Sequence, residues 1–185
     1  MDFFEKTLEK NYVYEGKIIS VRKDKAAHPD GTPCTREVVE HNGGVCVAPL
    51  TDNDELIFVR QFRYPFSEVL LELPAGKLEK NESDYDAGMR ELEEETGYVA
   101  NEYHKVGAFY PTPAYGGEII HLYVAWNLTE TQAKPDEDEY LEVVKIPLEK
   151  AIDMVMNNEI PDGKTQILIL RIAEMKRKGI ICGGK

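Results

Sequence analysis

The sequence predicts a mixed α+β protein in which helices flank a sheet, and three observations carry that prediction. Runs of β-branched and aromatic residues, punctuated by Gly, Pro and Asp, fill the chain as far as Glu72. A helix with a start signal at Ser83 and a stop signal at Gly97 follows. Further strand-like runs then lead into two helical segments that finish the chain. No Pro/Gly/Ser-rich linker divides the 185 residues, so one substantial core is expected.

Taken in order, YVYEGKIISVRK at 12–23 reads as a strand, and AAHPDGTPC supplies turn chemistry before a second strand from Arg36 to His41. Together they predict an N-terminal β-hairpin. VCVAPL after Gly44, LIFVRQFRY and LLELP are three more strands, with a turn at TDNDE after the first. Ser83 is an N-cap, with Asp84 and Asp86 placed to meet the positive end of the helix dipole, and Gly97 can take the left-handed conformation that ends it. The helix is expected over 84–96. NEYHKVGAFY and EIIHLYVAWNL are strands around PTPAYGG, the acidic loop PDEDEY precedes the strand LEVVKI, and helices are expected at about 147–157 and 164–178.

Composition narrows the chemistry. The 22 Lys and Arg against 34 Asp and Glu leave a net charge of −12, which repels phosphate backbones and argues against general nucleic-acid or anionic-membrane binding. An anionic small substrate would need local arginines or a metal. Cys34, Cys46 and Cys182 are widely spaced and form no CxxC, so neither a disulfide framework nor a zinc site is expected, and a reducing cytoplasm is the expected compartment. No segment approaches the roughly 20 apolar residues of a membrane span.

The stretch GKLEKNESDYDAGMRELEEETGY at 76–98 carries the chemistry. At 100° per residue Tyr85, Met89, Leu92 and Thr96 share one helix face, expected to be buried, while Glu91, Glu94 and Glu95 cluster on the far side. Such crowding of carboxylates is self-repelling unless a cation offsets it, and an all-oxygen set suits a hard ion such as Mg²⁺ or Mn²⁺. A Glu run alone is more often a solvated helix face. Its neighbours weigh against that here: Arg90 stands four residues before Glu94, Gly76 marks a sharp turn after LLELPA, and Glu82 closes the loop before the N-cap.

These residues match each fixed position of G-x5-E-x7-R-E-U-x-E-E-x-G-U, with Leu92 and Tyr98 at the apolar positions, and the chain therefore resembles a Nudix hydrolase. The resemblance implies the Nudix fold, an α/β/α sandwich around a mixed sheet. It also implies hydrolysis of a nucleoside diphosphate linked to another moiety, on Mg²⁺ or Mn²⁺ held by Glu91, Glu94 and Glu95 with the Ala75 carbonyl. Arg90 would orient those carboxylates. Around the box, REVVEHNGG, VRQFRYP, LLELPAGKLE and FYPTPAYGGEIIHLY resemble the ADP-ribose (ADP-sugar) pyrophosphatase branch, including Pro113 fifteen residues beyond Tyr98.

That branch implies substrate contacts at Arg36 and Arg63, where a guanidinium fork suits phosphate oxygens, and at Pro113 and Glu118. It implies a general base at Glu137 and an added metal ligand at Glu139. ADP-ribose, cleaved to AMP and ribose 5-phosphate, is the implied substrate; other nucleotide sugars or dinucleotides, or a non-catalytic nucleotide-binding regulator, are the alternatives. A homodimer is implied, with residues 1–42 as strands for dimerisation and substrate covering and 43–185 as the Nudix domain. The chain departs from the branch at Gly88, where alanine is usual, at Ala114, where glycine is usual, and at Gly117 before Glu118. The histidines lack metal-ligand spacing and read as structural or surface residues.

Overall fold

A computed structural model describes residues 2–134 and 140–181. The chain forms two compact units, Met1–Gly43 with Tyr110–Ile119, and Gly44–Phe109 with Ile120–Lys185.

The smaller unit is built on four antiparallel strands, β1 (Lys6–Glu9), β2 (Tyr12–Glu15), β3 (Ser20–Ala27) and β4 (Pro33–Glu40). β3 is central: β1 and β2 share one of its edges and β4 takes the other. The single strand read over 12–23 is therefore two strands. Gly16 N–H donates to the Ile19 carbonyl at 2.9 Å and folds the segment back, so the expected hairpin widens into a sheet. Along β3, Arg22, Asp24 and Ala26 alternate as the buried face, which period-two geometry requires. The two buried charges pair with each other: Arg22 lies 3.2 Å from Asp24 and also pairs with Glu40.

The larger unit holds β5 (Gly44–Pro49), β6 (Glu55–Arg63), β7 (Glu68–Glu72), β8 (Ala75–Lys77), α1 (Asp84–Thr96), β9 (Tyr98–Phe109), β10 (Ile120–Glu130), β11 (Leu141–Pro147), α2 (Leu148–Met156) and α3 (Gly163–Arg177). One sheet has the order β8-β5-β10-β9 and is mixed, because β5 and β10 run parallel while their other pairings are antiparallel. A second, antiparallel sheet has the order β11-β6-β7.

Side-chain alternation makes the first sheet the middle of a sandwich. Val45 and Val47 of β5, with Tyr123 and Ala125 of β10, pack against Ala87 and Leu92 of α1. Cys46 and Ala48, with Leu122 and Val124, face the opposite way onto Leu168, Ile169 and Ile172 of α3 and Ala151 and Val155 of α2. Both faces of β5 are thus buried, so its run GVCVAP is apolar throughout rather than alternating. The three helices fall within two residues of the expected spans.

Candidate active site

α1 starts and stops where its sequence says it should. The Ser83 hydroxyl accepts from the Asp86 N–H at 3.1 Å, Asp84 and Asp86 occupy the first turn, and Gly97 at φ 72° returns its N–H to the Glu93 carbonyl. The buried face keeps the expected Leu92 and Thr96, with Met89 partly buried, but not Tyr85, which is 51% exposed; Ala87 and Gly88 complete the face seated against the sheet. Small residues at 87 and 88 let the backbone approach closely. A Cβ at Gly88 would collide with the Tyr103 hydroxyl and crowd Val45, so the glycine that departs from the branch pattern is the space that tyrosine fills. Tyr103 in turn stacks on Tyr123, ring centroids 4.4 Å apart, with Tyr85 edge-on above it.

On the far side of the helix Arg90 gathers three carboxylates. Its Nε and Nη2 donate to the two oxygens of Glu82 at 2.9 and 3.0 Å, and its Nη1 donates to Glu91 and Glu94, both at 2.8 Å. The hydrogen bond from Arg90 holds the Glu82 carboxyl below its usual range, and the bond to Glu82 foremost raises the Arg90 guanidinium, so both stay ionised. The expected Arg90–Glu94 pair is present, and Glu82 is the stronger anchor because it binds the guanidinium with both oxygens.

Glu95 is 3% exposed, and its carboxylate accepts from the Ala75 N–H at 3.0 Å. That bond ties α1 to the start of β8. A Cβ at Gly76 would land inside the Glu91 carboxylate, so the absence of a side chain there makes the hollow that Glu91 occupies. Glu93 points away, its nearest partner being the Thr131 hydroxyl at 3.4 Å. The donor set is oxygen throughout, and one guanidinium leaves a surplus of negative charge on Glu82, Glu91 and Glu94. Both features fit a hard divalent cation held by Glu91, Glu94 and Glu95.

A second charged cluster escaped the sequence reading. Glu72, at the end of β7 and 2% exposed, takes a two-pronged hydrogen bond from Arg63, Nε at 2.6 Å and Nη2 at 2.8 Å, and also pairs with Lys164 at the start of α3. Lys164 lies 3.0 Å from Asp162, the N-cap of α3, and the next residue, Thr165, accepts the Leu73 N–H at 2.9 Å through its hydroxyl. Burial alone would raise the Glu72 carboxyl, but Arg63 and Lys164 together bring it below its ordinary value. The charge of Glu95 also acts on Arg63, after the dominant bond from Glu72. A glutamate inside the apolar strand LLELP was the available signal; its partner in the fold lies 92 residues away.

Arg36 lies in the smaller unit, its Nε donating to Glu5 at 2.7 Å and its Nη2 completing a bidentate pair. In the same unit Glu118 lies 3.3 Å from His41 Nδ1, and Pro113 is exposed in a turn closed by the Thr112 carbonyl. Glu137 and Glu139 lie outside the described residues.

A family model described as the NUDIX domain matches residues 40–179. The chain belongs to the Nudix family. Ahead of its Nudix domain, residues 5–39 match a model described as the nucleoside diphosphate sugar hydrolase N-terminal domain. The chain is 41% identical to an ADP-ribose pyrophosphatase of Bacillus subtilis (strain 168), over 89% of this chain and 90% of that one. It is 37% identical to a methanol dehydrogenase activator of Bacillus methanolicus, over 90% and 91%. It is 35% identical to a GDP-mannose pyrophosphatase of Yersinia enterocolitica, over 76% and 78%. A solved structure titled as that of an ADP compounds hydrolase superposes with a TM-score of 0.84 at 23% identity, covering 98% of this chain and all of that one, and has the same fold.

Proposed function

We propose that this Nudix protein hydrolyses the pyrophosphate bond of ADP-ribose to AMP and ribose 5-phosphate, with Mg²⁺ or Mn²⁺ as cofactor. The observation that carries the reading is the constellation of Glu91, Glu94 and buried Glu95, oriented by Arg90 and Ala75, in a chain 41% identical to an ADP-ribose pyrophosphatase. Bound cations supply charge neutralisation of the pyrophosphate and acidify the attacking water. Arg90 fixes the carboxylates so that they need not reorganise as charge develops. Arg63 and Arg36 would bind phosphate oxygens through their forks, Glu72 and Glu5 holding each in place beforehand. Pro113 and Glu118 would shape the substrate loop. Glu137 would take the proton of the attacking water as its oxygen joins one phosphorus and the bridging P–O bond breaks, with Glu139 as a further metal ligand.

We further propose a homodimer in the cytoplasm, paired through residues 1–42. Exposed Leu8, Tyr12, Val13 and Tyr14 on β1 and β2, with Phe3 and Phe4 just ahead of β1, support this, because exposed apolar side chains so concentrated mark an interface. The relatives that act on GDP-mannose favour a second reading, a nucleotide-sugar pyrophosphatase of different preference. A non-catalytic regulator is disfavoured by the intact glutamate set. Steady-state release of nucleoside monophosphate, measured with Mg²⁺ on ADP-ribose, ADP-glucose, GDP-mannose and a dinucleotide, tests all three. ADP-ribose is expected to give the highest kcat/KM; a lower rank supports the second reading, and binding without turnover of any substrate supports the regulator.

A further inference from the structure

We propose that Glu5, His28 and Cys34 form a binding site for a borderline or soft divalent ion such as Zn²⁺, distinct in chemistry from the all-oxygen set on α1. Each residue offers one ligand atom, and the three atoms lie within 4.8 Å of one another. The sheet register brings them together. Lys6 pairs with Ala27, which sets Glu5 beside His28; Cys34 pairs with Ala26, which lies two residues from His28 and so on the same face. Cys34 stands in β4, while Glu5 and His28 lie one residue outside the paired ends of β1 and β3.

The β3–β4 turn fixes the histidine further. His28 N–H donates to the Thr32 carbonyl and its own carbonyl accepts from Gly31, both at 2.9 Å, while Asp30 accepts from the Thr32 N–H and hydroxyl at 2.9 and 2.7 Å. A thiolate, an imidazole and a carboxylate make the donor set typical of three-residue zinc sites with one position open to water, and Mg²⁺ competes poorly for sulfur and nitrogen. Cys46, the other described cysteine, is fully buried in the core of the larger unit and cannot serve.

One competitor for the site is visible. Glu5 already pairs with Arg36, and His28 Nδ1 lies 3.2 Å from the same carboxylate. An incoming ion must therefore displace a guanidinium from Glu5, and removing that guanidinium should tighten binding.

Cobalt(II) titrated into the full-length protein is the probe, because a thiolate ligand gives an intense near-ultraviolet charge-transfer band that carboxylates do not. With excess Mg²⁺ present to occupy the α1 carboxylates, the expected result is a band that saturates at one equivalent and is bleached by Zn²⁺. Cys34→Ser should abolish it, Cys182→Ser should leave it, and His28→Ala should weaken binding about tenfold or more. Arg36→Ala should strengthen binding. Absence of the band in the native chain, its persistence in Cys34→Ser, or unchanged affinity in Arg36→Ala would overturn the site. Should Cys34→Ser fail to fold by far-ultraviolet circular dichroism, alkylation of the native chain decides: Zn²⁺ is expected to protect Cys34 from iodoacetamide, and equal labelling with and without Zn²⁺ refutes the proposal.

Discussion

Single atoms decide much at the residue scale. Gly76 has no Cβ because the Glu91 carboxylate needs that volume, so Gly76→Ala should displace Glu91 without disturbing the core. The expected outcome is a loss in turnover of about 10²-fold with Mn²⁺ affinity weakened and the melting transition retained, read by kinetics, Mn²⁺ titration and calorimetry. Glu94→Gln and Glu95→Gln should each lower kcat by about 10²–10³-fold, whereas Glu93→Gln, whose side chain leaves the cluster, should stay near native. Near-native turnover in both of the first two would refute the metal assignment. These residues were legible in the sequence because the spacing that makes them neighbours is local to one helix and one turn. Glu72 and Lys164 were not, since nothing local couples a strand end to a helix start 92 positions later.

At the scale of elements, two contacts hold the site's supports. Gly88→Ala should cost about 1–3 kcal/mol, because the new methyl meets the Tyr103 hydroxyl and Val45. Tyr103→Phe should be neutral or stabilising alone, since its buried hydroxyl has no hydrogen-bond partner among the described residues. In the double variant it should recover part of the loss, and strict additivity in urea denaturation would count against the clash. The second contact is the Arg63–Glu72–Lys164 cluster joining β6, β7 and α3. The Glu72 carboxyl is held below its ordinary 4.5, so the ionised form favours the folded chain. That stabilisation is complete above the ordinary value and is lost as pH falls through the folded value. Glu72→Gln should therefore be less stable at neutral pH and show a flatter decline as pH falls below the ordinary carboxylate value. α1 was readable to the residue because caps and dipole charges are written at its ends. β8 was missed because three residues carry no periodicity, and the strand at 12–23 was read through its break because β-propensity continues across Gly16.

For the molecule as a whole, the acidic balance and the exposed apolar strands pull in different directions. Net charge −12 disfavours self-association, so a dimer must be driven by the apolar N-terminal sheet. Light scattering at about 10 μM is expected to report twice the chain mass, and Leu8→Lys with Val13→Lys should halve it. A native monomer under these conditions would sink the dimer. The layering of helices about a mixed sheet was legible from element order. The grouping of 110–119 with the first 43 residues was not, because the backbone hydrogen bonds of Val39 with Tyr115 and Gly117, and the His41–Glu118 contact, join positions more than 70 apart that no local pattern couples.

Gly88 and Tyr103 also act as one unit. With alanine at 88 the tyrosine hydroxyl keeps its place only if one of the two elements gives way, so a change at either position is felt at the other. The helix that carries Glu91, Glu94 and Glu95 thus depends, through one oxygen atom on a neighbouring strand, on the least helical residue it could hold short of proline.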